Sequence, residues 1–338
     1  MIVKTLYVEI TNLCNLNCAT CYNRSGLNCE REEISATALE QMIADFLPYG
    51  LERVLLSGGE PTLHSDFAGI LAVLDRHPTL TVGVVTNGTT HSAALTAFLR
   101  QRENAIVQIS LDGSTEAVNA ETRGANNFAK ALAYAEELRE FPIEKRLKMV
   151  VSQKNYGDIE PFYNLAQSLG FRPEFAFIYR SGNGETDWEQ KCLTDLQEIK
   201  AVKLVDRLNR ERGGNAFFPR CTMRCPFSGT LNELSLCIRT DGSIQPCQSL
   251  YDRAYSVGNA LAFDADAFET GMARIAAIAR ERLTQDYHCE RCMLSAACGK
   301  GCMAAAVLLH GDPLADDGSC SFRKAMFIES NVLGNISR

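Results

Sequence analysis

The stretch VKTLYVEITNLCNLNCATC, residues 3–21, decides how the rest of the chain is read. Val3–Ile10 is a β-branched and apolar run of strand length, interrupted by Thr5, Tyr7 and Glu9. Thr11-Asn12-Leu13 ends it, and Cys14, Cys18 and Cys21 follow on a loop with C-x3-C-x2-C spacing. Outward from there, similar runs recur at Arg53–Leu56, Leu80–Val85, Ile106–Ile109, Leu147–Val151 and Glu174–Ile178. Amphipathic stretches separate them: Thr37–Phe46, Phe67–His77, Ala93–Arg102, Ala129–Glu140 and Ile159–Gly170. The first of these opens with Thr37-Ala-Leu-Glu40, which reads as a capping box. Strand–helix alternation predicts a parallel sheet with crossover helices. Six units are too few to close an eight-fold barrel, so the expected fold is α/β, a partial (β/α)6 barrel.

The unusual residues fall just after the strands. The cysteine loop follows the first, Ser57-Gly58-Gly59-Glu60-Pro61 the second, Thr86-Asn87-Gly88 the third, and Ser110-Leu111-Asp112-Gly113 the fourth. Tyr179-Arg180-Ser181-Gly182 follows the sixth. In a parallel barrel such positions share one rim, where ligands bind. Glycines at Gly58 and Gly59 allow close backbone approach, and the Glu60 carboxylate can pair with an ammonium group.

Bulk properties narrow the partners. A net charge of −7 argues against nucleic acid, which demands a basic surface. No signal peptide and no membrane-length apolar run is found, so a cytoplasmic location is expected. Fourteen cysteines are many for a reducing compartment. They cluster: Cys14 to Cys29, then only Cys192, then nine from Cys221 to Cys320. Short-spaced clusters in such a chain read as metal ligands. By spacing alone the first set suits either three corners of an iron–sulfur cubane with one iron open, or a zinc site completed by Cys29 or a histidine. The later field, Cys221-x3-Cys225, Gly242-x4-Cys247, Cys289-x2-Cys292-x5-Cys298-x3-Cys302 and Cys320, also fits two zinc sites.

Taken with the Gly58-Gly59-Glu60-Pro61 turn, the first cysteine set resembles the radical SAM superfamily, whose signature is C-x3-C-x-aromatic-C on this loop. The chain departs from it at Thr20, where an aromatic is usual; Tyr22 follows the last cysteine instead. The resemblance implies that Cys14, Cys18 and Cys21 bind a [4Fe–4S] cluster whose fourth iron is chelated by S-adenosylmethionine. It further implies that Gly58, Gly59 and Glu60 lie against that cofactor and that Ser110 and Arg123 contact its carboxylate. Asn87 is placed near the nucleoside, with a plain Asn-Gly turn as the alternative. For Arg123 the alternative is a solvated charge at a helix entry.

The C-terminal spacings resemble the SPASM domain, an extension holding two auxiliary [4Fe–4S] clusters and bringing the implied total to three. By that resemblance Cys221, Cys225, Cys247 and Cys302 hold one, and Cys289, Cys292, Cys298 and Cys320 the other. Cys29 reads as a spare thiol, Cys192 as structural, and Cys237 as a buried strand thiol. The expected division is a barrel over 1–183, a helical linker over 184–220 and the auxiliary-cluster domain over 221–338.

Enzymes of this branch mostly modify peptides or proteins. The resemblance implies generation of a 5′-deoxyadenosyl radical and oxidative thioether or carbon–carbon crosslinking of a ribosomally made peptide, with a reductant such as flavodoxin or ferredoxin. The sulfatase-modifying branch carries an aspartate after the Gly-x4-Cys cysteine, where this chain has Gln248, an amide without useful basicity. That disfavours formylglycine formation. Epimerisation, small-molecule or cofactor-precursor dehydrogenation, and a non-enzymatic electron carrier stay as alternatives. Cys14 leaves no room ahead of it for a leader-binding domain. A separate leader-peptide-binding protein, or the barrel surface with the Trp188 linker, is expected to serve instead.

Overall fold

The computed structural model describes residues 1–27, 29–217, 225–287, 289–295 and 298–327. Six parallel strands form in chain order: β1 (Val3–Thr11), β2 (Arg53–Gly58), β3 (Thr81–Thr86), β4 (Ala105–Ser110), β5 (Glu144–Val151) and β6 (Arg172–Phe177). They alternate with α1 (Ala36–Phe46), α2 (Phe67–Asp75), α3 (Ala93–Gln101), α4 (Glu116–Arg123), α5 (Phe128–Glu137) and α6 (Ile159–Ser168). Val3, Leu6, Val8 and Ile10 of β1 are fully buried, as expected of a strand covered on both faces. This is the α/β fold with a parallel sheet that the alternation predicts.

Three details differ from the sequence reading. Helix α1 begins two residues earlier than a cap at Thr37 requires: Ser35 is the cap, its hydroxyl accepting from Ala38 N at 3.1 Å. Helix α4 was not anticipated, because it is only eight residues long and polar on average; Thr115 caps it. The sheet also does not stop at six strands.

Beyond α7 (Trp188–Lys191) and α8 (Asp195–Arg212), the strand β7 (Leu234–Ile238) pairs parallel with the outer edge of β1, Tyr7 opposite Cys237. Its antiparallel neighbour β8 (Ile244–Gln245) completes the order β6-β5-β4-β3-β2-β1-β7-β8. The division expected after residue 220 is therefore not a break in the sheet. An open β1 edge would expose a row of unpaired backbone groups, and the apolar Leu234, Leu236 and Ile238 cover it. Helix α9 (Ala265–Arg282) strengthens the join: Phe268 packs edge-on against Phe46 of α1, with ring centres 5.4 Å apart. A further helix in this region, α10 (Met303–His310), starts directly after Cys302. No helix among the described residues is long and apolar enough to cross a membrane.

Candidate active site

The loop after β1 is fixed by backbone contacts from three other elements. Gly59 N donates to Thr11 O and Glu60 N to Leu13 O, both at 2.7 Å. From the end of α4, Thr122 O accepts from Ala19 N at 2.7 Å. After β6, Asn183 N donates to Cys21 O at 2.7 Å, and Lys191 Nζ to Ala19 O at 3.0 Å. A Cβ on Gly59 would lie 2.0 Å from Leu13 O, and one on Gly58 2.1 Å from Thr11 O. The close approach these glycines permit is thus to the chain's own cysteine loop.

Glu60 is fully buried and braces the same corner. Its Oε1 accepts from Thr62 Oγ1 and Thr86 Oγ1, each at 2.7 Å, and its Oε2 from Asn87 N at 2.7 Å. Burial still pushes its carboxyl above the usual range. Asn87 spends its amide on Asn15 Oδ1 at 2.8 Å and lies 3.9 Å from Cys14 Sγ, so it supports the cysteine loop rather than standing free on the rim. Ser110 ends β4, half-buried.

Arg123 is not a solvated helix-entry charge. It closes α4, where a cation suits the helix dipole, and its side chain is 11% exposed. Its Nε lies 3.0 Å from Oδ2 of the fully buried Asp112, which also accepts from Thr122 Oγ1 and Val150 N at 2.9 Å. The guanidinium in turn favours the Cys18 thiolate. Burial nevertheless pushes Cys14 up to about 12 and Cys18 to about 11. Buried thiols held near one another resist ionising together, and a bound cationic centre reverses that balance. Among the described residues no three His, Cys, Asp or Glu side chains converge on one point as a single ion demands. A cubane asks for something else, each thiolate on its own iron. The donor set fits such a cluster.

The C-terminal cysteines fall into two groups. Burial, the largest cause, pushes Cys247 up to about 12, with Cys302 and Cys225 near enough to add to it, and Cys302 likewise raises Cys225. Cys221, expected to join them, lies outside the described residues. Cys289, Cys292, Cys298 and Cys320 line one cavity, together with Arg323. Cys29 is exposed, its thiol 3.3 Å from Gly26 O.

One feature escaped the sequence reading. Glu9, 1% exposed, accepts from Tyr251 Oη at 2.8 and 2.7 Å and from Tyr22 Oη at 3.2 Å. Cys237 Sγ lies 4.0 Å away, and Arg239 stacks 3.7 Å from the centre of the Tyr251 ring. Burial raises the Glu9 carboxyl against the pull of Tyr251 and Arg239. The only sequence signal was a lone acid in β1, five residues before Cys14. The network stands between the barrel loop, through Tyr22, and the hairpin that carries Cys247.

A parallel sheet with a three-cysteine loop on its rim, backed by a glycine turn and a buried arginine, suits an enzyme that holds an iron–sulfur cluster there. The Radical SAM superfamily profile matches residues 8–166, and the chain belongs to that superfamily, in its SPASM-type branch. Among similar proteins, the mycofactocin maturase MftC of Mycobacterium ulcerans is 30% identical over 266 residues, 75% of this chain and 70% of that protein. The PqqA peptide cyclase of Ruegeria pomeroyi is 26% identical, over 94% of this chain and 86% of the cyclase. The crystal structure of Streptococcus suis SuiB bound to S-adenosylmethionine shares the fold at a TM-score of 0.76 and 18% identity, covering 94% of this chain and 77% of SuiB.

Proposed function

We propose that this enzyme oxidatively crosslinks a ribosomally made peptide, through a thioether or carbon–carbon bond. The observation that carries the reading is the grouping of cysteines from distant segments into separate sets around one sheet, in a chain related to peptide maturases. In this reading Cys14, Cys18 and Cys21 hold the catalytic cluster. Cys225, Cys247 and Cys302, with Cys221, hold a first auxiliary cluster, and Cys289, Cys292, Cys298 and Cys320 a second. When bound, the reduced cluster with S-adenosylmethionine supplies a radical able to take hydrogen from an unactivated carbon.

The chain's own residues do the rest. Gly58 and Gly59 set the loop, Glu60 and Asn87 hold its flank, and Asp112 aims Arg123 so that, with Ser110, it can receive the cofactor carboxylate. Strand β7 and helix α9 fasten the auxiliary lobe to the β1 edge and to the end of α1. The division into 1–183, 184–220 and 221–338 is then one of tasks. A flavodoxin- or ferredoxin-type reductant supplies the electron.

Mass spectrometry after anaerobic turnover with dithionite tests the reading on short peptides encoded beside the gene. The expected product has lost about two mass units per crosslink, as one hydrogen abstraction and one further oxidation require. A mass-neutral product carrying solvent deuterium would replace crosslinking with epimerisation. Gln248 is exposed and offers no base after Cys247, so sulfatase-type Cys-x-Pro-x-Arg peptides should give no hydrazine-trappable aldehyde.

A further inference from the structure

Among the described residues of the C-terminal lobe, one ion pair is buried on both sides, and it stands between the two groups of auxiliary cysteines. The Asp317 side chain is fully buried and that of Arg323 is 6% exposed. Arg323 Nη1 donates to both Asp317 oxygens, at 2.7 and 2.6 Å. On one side, Asp317 Oδ2 accepts from the backbone N of Cys302 at 2.8 Å. On the other, Arg323 lines the cavity shared by Cys289, Cys292, Cys298 and Cys320. Its Nε is buried without a hydrogen-bond partner, while Cys298 favours its charge both electrostatically and through a side-chain hydrogen bond. The chain makes room for this pair at Gly301: φ is +79°, and a Cβ there would lie 2.0 Å from Asp317 Oδ2 and 2.2 Å from Arg323 Nη1.

Burying two charges is costly and seldom the best way to stabilise a lobe. An unpaired buried N–H also costs free energy unless something accepts it. A sulfur-rich anionic cluster in the neighbouring cavity would accept it. Hydrogen bonds to cluster sulfurs, and nearby positive charge, favour the reduced state and raise the reduction potential.

We infer that the Asp317–Arg323 pair is a potential-setting bridge, its positive end raising the potential of the iron–sulfur site at Cys289, Cys292, Cys298 and Cys320 while its negative end faces the ligand loop of Cys302. The pair orders the two auxiliary sites so that an electron runs downhill from the Cys302 site to the Cys320 site. The inference rests on the auxiliary-cluster reading above and makes Arg323 a positioning residue, since no substrate contact is involved.

The test is an anaerobic redox titration followed by electron paramagnetic resonance, on the reconstituted full-length protein and two variants. The double variant Asp317→Asn/Arg323→Gln removes both charges and leaves neither unpaired. Its more readily reduced auxiliary signal should shift about tenfold toward the oxidised form, or about 59 mV lower for a one-electron couple. Arg323→Lys keeps the charge but not the Nε–H, and should move the same signal in the same direction by roughly a third of that factor. An unshifted signal in either variant that keeps its iron overturns the inference. Wild-type protein that binds only the roughly four irons of one cubane refutes the auxiliary-cluster reading instead, and the inference with it.

Discussion

The barrel loop and the C-terminal lobe both gather cysteines, but they hold them differently. Around Cys14, Cys18 and Cys21 the backbone is tied to β2, to the end of α4 and to the segment after β6. Around Cys289, Cys292, Cys298 and Cys320 there is a cavity, turns, the helical segment 320–327 and one buried ion pair. The first site is built by the fold before any metal arrives. The second has few elements of its own, so bound metal would contribute much of its folding free energy.

The sharpest way to break this contrast is Gly59→Ala. Its methyl group cannot coexist with Leu13 O, so the cysteine loop must move. Cleavage of S-adenosylmethionine should be abolished and about four irons lost, while about eight stay in the C-terminal lobe. Retained cleavage would mean that the loop is not preset by β2. The converse variant is Cys320→Ala. It should lose about four irons and become sensitive to limited proteolysis between Gly258 and Cys320, with the barrel surviving as a protected fragment. Full iron content with wild-type resistance would remove Cys320 from the ligand set.

A smaller effect sharpens the barrel side. Asp112→Asn leaves the Arg123 charge buried without its counter-ion, and should cost about 3–5 kcal/mol in urea unfolding. Arg123→Met alongside it should recover part of that loss. The smallest expected effect lies outside both sites. Burial, with Asp195 nearby, raises Glu198 to about 7. The folded state then holds this proton more tightly than the unfolded one. Stability contributed here is present below the ordinary carboxylate pKa and falls as pH rises toward 7. Glu198→Gln should flatten that slope and stabilise the protein at pH 8 by roughly 1–3 kcal/mol. A variant with the wild-type slope would mean that Glu198 does not titrate there.

Much of this was legible in the sequence because it is local. Strand periodicity located β1 to β6, and cysteine spacing marked the clusters as metal ligands, while their division between two C-terminal sites came only from the resemblance. What was hidden depends on partners far along the chain. Nothing near Glu9 announces Tyr251, 242 positions away. Nothing in Leu234–Ile238 says that it lies beside β1 rather than in a separate lobe. A solvated charge stood as the alternative for Arg123 because its buried partner, Asp112, belongs to a different loop. Gly59 and Glu60 were read only against a ligand, and nothing local announced their bonds to Thr11, Leu13 and Thr86.

The pairing of β1 with β7 also bears on biosynthesis. The first strand of the sheet leaves the ribosome more than two hundred residues before the strand that covers its outer edge. At roughly 5–20 residues per second, that edge stays bare for about ten to forty-five seconds. During this interval the nascent barrel presents an open strand beside an uncapped cysteine loop, both vulnerable to mispairing and to oxygen. Slowing translation between codons 60 and 230 should therefore lower the yield of soluble, iron-loaded enzyme more than an equal delay placed after codon 260.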